Sequence, residues 1–371
     1  MSYTVQGKRE QSTRVDADLE AIASRLLSDF PGEIEALVLV GSFGRGEGTI
    51  VVRQGELCPV HDYDIVIVSK DDLPRERLSQ AASELAASLG LPHIDLFSYR
   101  RGQLASFAPS LFSLDLKAGG KVFHGDPNAL QIVRSVDPSD LPLDEARRLM
   151  FNRLPSLIES VHEGDFRGAP EGDDAFRIAY MASRVILACV EALLIEAQDY
   201  HPSCRERESR FLSRFKRYRC LGGLVRTATA IKLHGVDASF DVIRYWLWAR
   251  RFYLSTLFRV VCASYETPLA DWWDLSSFYD RWFYFFWRRL VTRLFNTAKY
   301  QEWGAIQRRV RLELAEIFLL LARESRGQVR PHYLERAGEY LKSVTGTANP
   351  SGWEEIRRQV VEWDFKILHP H

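Results

Sequence analysis

The stretch of sequence that decides the fold is Leu37-Val-Leu-Val-Gly-Ser-Phe-Gly-Arg-Gly-Glu-Gly48, followed by His61-Asp-Tyr-Asp-Ile-Val-Ile-Val68. Each part contains a short apolar run rich in β-branched residues, which is typical of a strand buried on both faces. The first strand leads into several glycines, which let the backbone turn tightly and approach a ligand closely. The second strand begins with two aspartates. We therefore expect a glycine-rich turn after the first strand and two aspartates at the start of the second, both at the end of a buried sheet.

Asp62 and Asp64 are two positions apart, so their side chains face the same side of the strand and Tyr63 faces the other. Two close carboxylates repel each other unless a cation lies between them. Mg²⁺ fits because it binds carboxylate and phosphate oxygens together, and Mn²⁺ is the alternative metal. Asp95 lies in a later predicted strand and adds a carboxylate if that strand is a neighbour. We predict that Asp62, Asp64 and Asp95 are the catalytic, metal-binding residues.

The glycine turn itself is a candidate phosphate site. Backbone amides after Gly41 and the hydroxyl of Ser42 can cradle phosphate oxygens. It is not a Walker A loop, because no Gly-Lys-Ser/Thr follows. Arg45 and Glu47 extend the turn, and two interpretations stay open for them: Arg45 contacts phosphate, or the two side chains form an ion pair that fixes the loop.

An ordered set of these residues resembles the DNA polymerase beta-like nucleotidyltransferase superfamily in its minimal form. The resemblance covers roughly residues 34–126, about a quarter of the chain. The 20 positions from Ser42 to Asp62 exceed the compact spacing usual in that superfamily, and the excess coincides with a predicted hairpin, or flap, at Ile50–Val60. The matching residues are Gly41-Ser42, Arg45-Gly46-Glu47, Asp62-x-Asp64 and Asp95.

The resemblance implies an Mg²⁺-dependent transfer of a nucleoside monophosphate from an NTP, with ATP expected, to an acceptor, with release of pyrophosphate. Gly41 and Ser42 would hold the β- and γ-phosphates, and Arg45 and Glu47 would complete the nucleotide-binding loop. The two close aspartates would bind metal, and Asp95 would bind metal and help to deprotonate the acceptor.

Three functions stay open at this point. A small-molecule hydroxyl is favoured as the acceptor, as in aminoglycoside nucleotidyltransferases. The first alternative is a transferase that places AMP on a partner protein, as in some toxin–antitoxin pairs. The second is a nucleotide-binding or scaffold protein without turnover.

The organisation of the chain changes at about Leu143. Before that point helix and strand patterns alternate, and after it the strand signals nearly vanish. We predict an α+β fold, with a small mixed-sheet nucleotidyltransferase domain at 1–143 and an all-helical domain at 144–371 that binds acceptor, triphosphate or a partner. The predicted strands are Ala36–Val40, Tyr63–Val68, His93–Tyr99 and Lys121–His124, and the predicted helices of the front domain are Ala17–Phe30, Pro74–Leu89 and Gln103–Lys117.

Composition and charge narrow the class of protein. The chain has 371 residues, 46% of them hydrophobic, so it can bury a core and is not predominantly disordered. Residues 1–143 carry 14 basic and 20 acidic side chains, a net charge of −6, and the remainder carries +6. The basic segment Arg205–Arg219 is therefore the first candidate for cations that meet the triphosphate.

Neither the cysteines nor any targeting segment or binding motif indicates a further kind of site. The five cysteines are scattered and fit neither a disulfide framework nor a zinc site. No signal peptide or clean membrane span is recognised, so we expect a cytoplasmic protein without a membrane partner. A nucleic-acid partner is not indicated, because no recognised nucleic-acid-binding motif is found, and a protein partner stays open.

Overall fold

A computed structural model of the chain shows an α+β arrangement in two compact units. The first unit comprises Met1–Glu145 and Leu194–Asp237, and the second comprises Ala146–Leu193 and Ala238–His371. The first unit thus contains a segment that the sequence assigned to the helical half. The structure describes residues 2–53, 55–60, 62–91, 93–235, 239–265, 269–291, 297–346, 350 and 352–368.

The regular elements follow the predicted order, with strands only in the front part of the described chain and helices throughout. In chain order the strands are β1 (Ile34–Val40), β2 (Ile50–Arg53), β3 (Glu56–Pro59), β4 (Tyr63–Ser69), β5 (Ile94–Arg100) and β6 (Lys121–Gly125). The helices are α1 (Arg9–Asp29), α2 (Gly41–Gly44), α3 (Arg75–Leu89), α4 (Arg101–Ala105), α5 (Leu111–Gly119), α6 (Leu143–Phe151), α7 (Leu154–Glu159), α8 (Glu163–Arg167), α9 (Gly172–Glu196), α10 (Cys204–Arg214), α11 (Gly222–His234), α12 (Val242–Tyr265), α13 (Trp272–Val291), α14 (Thr297–Ala322), α15 (Pro331–Thr345) and α16 (Trp353–Leu368). Short 3-10 helices occupy Ala129–Ile132, Pro138–Asp140 and Lys216–Leu221.

The sheet of the first unit is mixed, as predicted. Its strand order is β5-β4-β1-β6, with β4 parallel to β5 and β1 antiparallel to both β4 and β6. All four predicted strands are confirmed to within one or two residues. The predicted hairpin is also confirmed, because β2 and β3 pair with each other as a separate two-stranded sheet.

Both faces of the four-stranded sheet are covered, which explains why its central strands are apolar at nearly every position. Alternate residues of β1 and β4 join one of two separate hydrophobic clusters. One cluster contains Leu37, Leu39, Ile65 and Ile67 with residues of α1 and α3, including Val15, Leu19, Ile22, Leu26, Leu78 and Leu85. The other contains Ala36, Val38, Val66 and Val68 with Leu104, Leu116, Ala129 and Val133.

Two predicted helices differ from the structure. Helix α1 begins at Arg9, eight residues before the predicted start at Ala17. The single helix predicted over Gln103–Lys117 is wrong, because α4 ends at Ala105 and α5 begins at Leu111. The interruption contains Pro109, which disfavours helical backbone at the residue before it. The Ser110 hydroxyl then accepts a hydrogen bond from the Ser113 amide (3.1 Å) and starts the new helix.

The segment 194–237 packs within the first unit. The Thr49 hydroxyl donates a hydrogen bond to the Lys232 carbonyl near the end of α11. Gly235 has φ +59°, and a Cβ there would overlap the Val51 side chain on the hairpin. Helix α11 therefore ends directly against the base of the hairpin.

The second unit is helical throughout the part that the structure describes, apart from an isolated bridge between Arg323 and Val329. The indole of the fully buried Trp246 donates to the Leu157 carbonyl (3.0 Å). Of the helices described, α9 is long and apolar enough to cross a membrane, but most of its apolar stretch is buried as in a core helix.

A buried carboxyl group lies in this helical unit. Glu316 is fully buried, and within the described structure neither of its carboxyl oxygens has a hydrogen-bond partner. Arg309 is bound to Glu313 (2.9 Å) and Asp364 (2.7 Å). Burial, followed by repulsion from Asp364, raises the pKa of Glu316 well above its ordinary value. Glu313 on α14 and Glu159 on α7 also repel the Glu316 charge, and Arg309 attracts it. Arg147 on α6 acts on Glu313, and Arg184 on α9 and Arg357 on α16 act on Glu159.

Candidate functional site

Three adjacent strands bring the predicted residues into one row at an edge of the sheet. In the parallel pair of β4 and β5, Asp64 is in register with Asp95. In the antiparallel pair of β1 and β4, Asp64 is in register with Val40, the residue before Gly41. The condition placed on Asp95, that its strand is a neighbour of the Asp62/Asp64 strand, is therefore met.

Gly41 lies directly against the carboxylate of Asp64. Its φ is +64°, a conformation that residues with a side chain rarely adopt. A Cβ at this position would lie 2.8 Å from Cγ of Asp64 and 3.2 Å from its Cβ. Only glycine therefore allows the turn and the carboxylate to be this close.

The turn after Gly41 is held by the packing of two buried aromatic rings, one on the turn and one on β4. Phe43 and Tyr63 are buried, and their ring centroids are 4.8 Å apart. The Tyr63 hydroxyl donates to Asp18 (2.8 Å), which is also bound to Arg14 (2.9 Å). Burial and the nearby Asp18 raise the pKa of Tyr63, so the phenol stays neutral and serves as a donor. Tyr63 is buried between two partly buried aspartates, as the alternation along a strand predicts.

The remaining acidic residues differ in their surroundings. The Asp95 side chain is 38% exposed, and one of its oxygens lies 2.8 Å from Nε2 of His93, at the entrance of β5. Asp62 is partly buried and precedes β4. Within the described residues, no hydrogen bond or ion pair involves its carboxylate. The carboxylate of Asp62 and the oxygen of Asp95 that does not contact His93 can therefore bind a ligand.

This donor set fits a hard divalent cation, although the carboxylates do not enclose one by themselves. Across the described ranges, no group of three or more His, Cys, Asp and Glu side chains is arranged to hold a metal ion. Mg²⁺ commonly binds one or two carboxylates and takes its other oxygens from water and substrate phosphate. For a cation to be shared in this way, the substrate phosphate must come close to the carboxylates. The missing side chain of Gly41 leaves room for a phosphate beside Asp64.

Arg45 and Glu47 are committed to protein contacts. The Arg45 side chain is 11% exposed, and its guanidinium binds Asp115 and lies 3.6 Å from Glu47. Burial lowers the pKa of Arg45, but attraction to Asp115 outweighs this effect and leaves the pKa above its ordinary value. Oε1 of Glu47 accepts a hydrogen bond from the backbone amide of Cys204 (2.7 Å). The interpretation as a structural ion pair is thus the one that the contacts favour.

Cys204, the first residue of α10, directly precedes the basic segment Arg205–Arg219 and meets Glu47 through its backbone amide. Within the segment, Arg207 is close enough to Arg45 to repel its charge. Arg207 is 2% exposed and donates to the His201 carbonyl (3.0 Å). Arg210 and Arg214 lie 3.0 and 3.6 Å from Asp199. Their predicted contact with triphosphate stays a prediction.

The contact between Glu47 and α10 is the part of the site that sequence reasoning missed. The two partners are 157 positions apart, and a backbone amide carries no sequence signature. The ion pair of Asp115 with Arg45 has no sequence signal for a similar reason, because the two residues are 70 positions apart.

Comparison with known proteins adds no family assignment. No protein-family model matches this chain, and no curated protein matches it in sequence. Its function is therefore inferred from the residues and geometry of the first unit.

Proposed function

We propose that this protein is an Mg²⁺-dependent nucleotidyltransferase that moves a nucleoside monophosphate from an NTP to an acceptor hydroxyl. The observation that carries the proposal is the row formed by Gly41, Asp64 and Asp95 at the ends of three adjacent strands. The missing side chain of Gly41 lets a phosphate approach the backbone, and the carboxylates can share a cation with that phosphate.

The turn would bind the leaving part of the nucleotide. Backbone amides and the half-buried Ser42 hydroxyl would donate hydrogen bonds to the β- and γ-phosphate oxygens. The buried pair of Phe43 and Tyr63 keeps the turn in place before the nucleotide arrives, so little ordering is needed on binding.

The acidic row would act on the α-phosphate and the acceptor. Asp62, Asp64 and Asp95 would hold Mg²⁺, which when bound lowers the pKa of a hydroxyl and offsets phosphate charge. The acceptor oxygen forms a bond to the α-phosphorus, the bond to the bridging oxygen breaks, and pyrophosphate leaves with that electron pair. Asp95, oriented by His93, would take the proton of the acceptor hydroxyl through its other oxygen.

The test is pyrophosphate release from each of the four NTPs with Mg²⁺, first with pooled metabolites and then with cell protein as the acceptor. Release that needs metabolites supports a small-molecule acceptor. Labelling of a protein from labelled ATP would favour the AMP-placing alternative. NTP·Mg²⁺ binding without pyrophosphate release from any fraction would favour the non-catalytic alternative.

A matched pair of variants connects the activity to the site. Asp62→Asn with Asp64→Asn should abolish transfer, because the site loses its charge while its shape is kept. Asp71→Asn with Asp72→Asn changes two exposed aspartates just after the other end of the same strand and should leave transfer unchanged. Near-wild-type transfer by the first double variant would show that the site is assigned wrongly.

A further inference from the structure

A chain of buried charges connects α5, the loop after Gly41 and the start of α10. Asp115 on α5 binds Arg45, Arg45 lies next to Glu47, and Glu47 accepts the Cys204 amide of α10. The side chains of Arg45 and Glu47 are only 11% and 10% exposed. Two charged groups that are this buried are stable only while they remain paired.

The backbone of the same loop holds the candidate phosphate turn. The amides of Arg45, Gly46 and Glu47 donate to the carbonyls of Gly41 (3.1 Å), Phe43 (3.1 Å) and Ser42 (2.8 Å), respectively. The carbonyls of Gly41 and Ser42 are therefore bound by the amides of Arg45 and Glu47, the two residues whose side chains the charge chain fixes. Moving Arg45 or Glu47 would move the turn.

We infer that Arg45, Glu47 and Asp115 are positioning residues that fasten the Gly41–Ser42 turn to helix α10, and that they do not contact the nucleotide themselves. The guanidinium of Arg45 is already directed at two carboxylates and is almost enclosed. Burial and repulsion from the nearby buried Arg207 act to lower the pKa of Arg45, but attraction to Asp115 and Glu47 leaves this pKa above its ordinary value, so the guanidinium stays charged.

This inference makes segment 194–237 a functional part of the nucleotide-binding unit. It rests on the proposed function only as far as the turn binds nucleotide. The fastening itself is measurable without any ligand, so the two ideas can fail separately.

The test is hydrogen–deuterium exchange of the full chain without nucleotide or metal. Glu47→Ala removes both the charge and the acceptor of the Cys204 amide. We expect exchange at that amide and at residues 45–47 to rise about 10- to 100-fold, the effect of losing a charged hydrogen bond. Glu47→Gln keeps an acceptor oxygen but loses the charge. It should accelerate exchange at residues 45–47 while the Cys204 amide remains largely protected.

Two further variants keep the test decisive. Asp115→Asn should raise exchange at residues 45–47, because it weakens the ion pair that holds the Arg45 side chain. Glu84→Gln, which removes an exposed partner of Arg25 (2.6 Å), is the matched control and should leave the loop unchanged. If Glu47→Ala does not fold, Glu47→Gln and Asp115→Asn carry the comparison.

A second measurement separates positioning from direct contact. With ATP·Mg²⁺, the positioning role predicts that the variants that loosen the loop also bind nucleotide more weakly. Direct contact predicts weaker binding with wild-type exchange in the free protein, and that result would overturn the inference. Absence of nucleotide binding by the unmodified protein would contradict the proposed function but not the fastening.

Discussion

The closeness of Gly41 and Asp64 gives the sharpest prediction about the site. In Gly41→Ala, the backbone at φ +64° costs about 1–2 kcal/mol, as for any residue with a side chain in this region. The new Cβ would lie 2.8 Å from Cγ of Asp64, whereas nonbonded carbon atoms approach to about 3.5 Å. The Asp64 carboxylate must therefore move by about 1 Å. A shift of this size can reduce a rate about 100-fold.

Gly32→Ala provides the matched control. Gly32 has φ +73°, lies just before the other end of β1, and a Cβ there would have nothing within 4 Å. Gly32→Ala should lose about 1–2 kcal/mol of unfolding free energy in urea titrations because of its backbone strain. Gly41→Ala should lose at least as much, because it adds the overlap with Asp64 to the same strain.

The nucleotide assays separate the two glycines. ATP·Mg²⁺ affinity by calorimetry and pyrophosphate release should fall sharply for Gly41→Ala, with about 100-fold slower transfer, and should be unchanged for Gly32→Ala. If Gly41→Ala binds and transfers like the unmodified protein, the reasoning that places the nucleotide at this turn is refuted.

Three further predictions concern stability and are measured by urea unfolding. Asp62→Asn with Asp64→Asn should leave the metal-free protein as stable as before or more stable, because two neighbouring negative charges are removed; a marked loss of stability would contradict this. For Glu316, the raised pKa of the folded state means that its contribution to stability is full below about pH 4.5 and is lost as the pH rises through the folded pKa. Glu316→Gln should therefore gain stability relative to the unmodified protein by up to about 1.4 kcal/mol per pH unit over that range, and a constant difference across pH would refute the assignment. Trp246→Phe should lose about 2–4 kcal/mol, because the Leu157 carbonyl loses its buried donor and a small cavity is left; a loss below about 1 kcal/mol would show that the site relaxes.

The strands of the first unit could be predicted because their signal is local. A strand covered on both faces needs apolar residues at nearly every position, and the runs at 36–40 and 63–68 meet that requirement without reference to the rest of the chain. The spacing of Asp62 and Asp64 likewise fixes that both carboxylates face one side, whichever strand lies next to them. The α+β class and the residue types of the candidate site follow from these patterns alone.

Helix boundaries were predicted less well because they depend on competing local interactions. The break between α4 and α5 results from Pro109 and from the Ser110 side chain, which together outweigh the helical pattern of the flanking residues.

Only the tertiary structure decided which distant residues share a site. The register that sets Asp64 opposite Asp95 depends on packing across the whole sheet, because a shift by one residue would reverse every side chain. The ion pair of Arg45 with Asp115 and the bond from the Cys204 amide to Glu47 join residues 70 and 157 positions apart. Sequence determines the periodicity of each element because periodicity arises from neighbouring residues. The pairing of charges between elements depends on which distant segments pack together. Here it depends on the packing of segment 194–237 within the first unit.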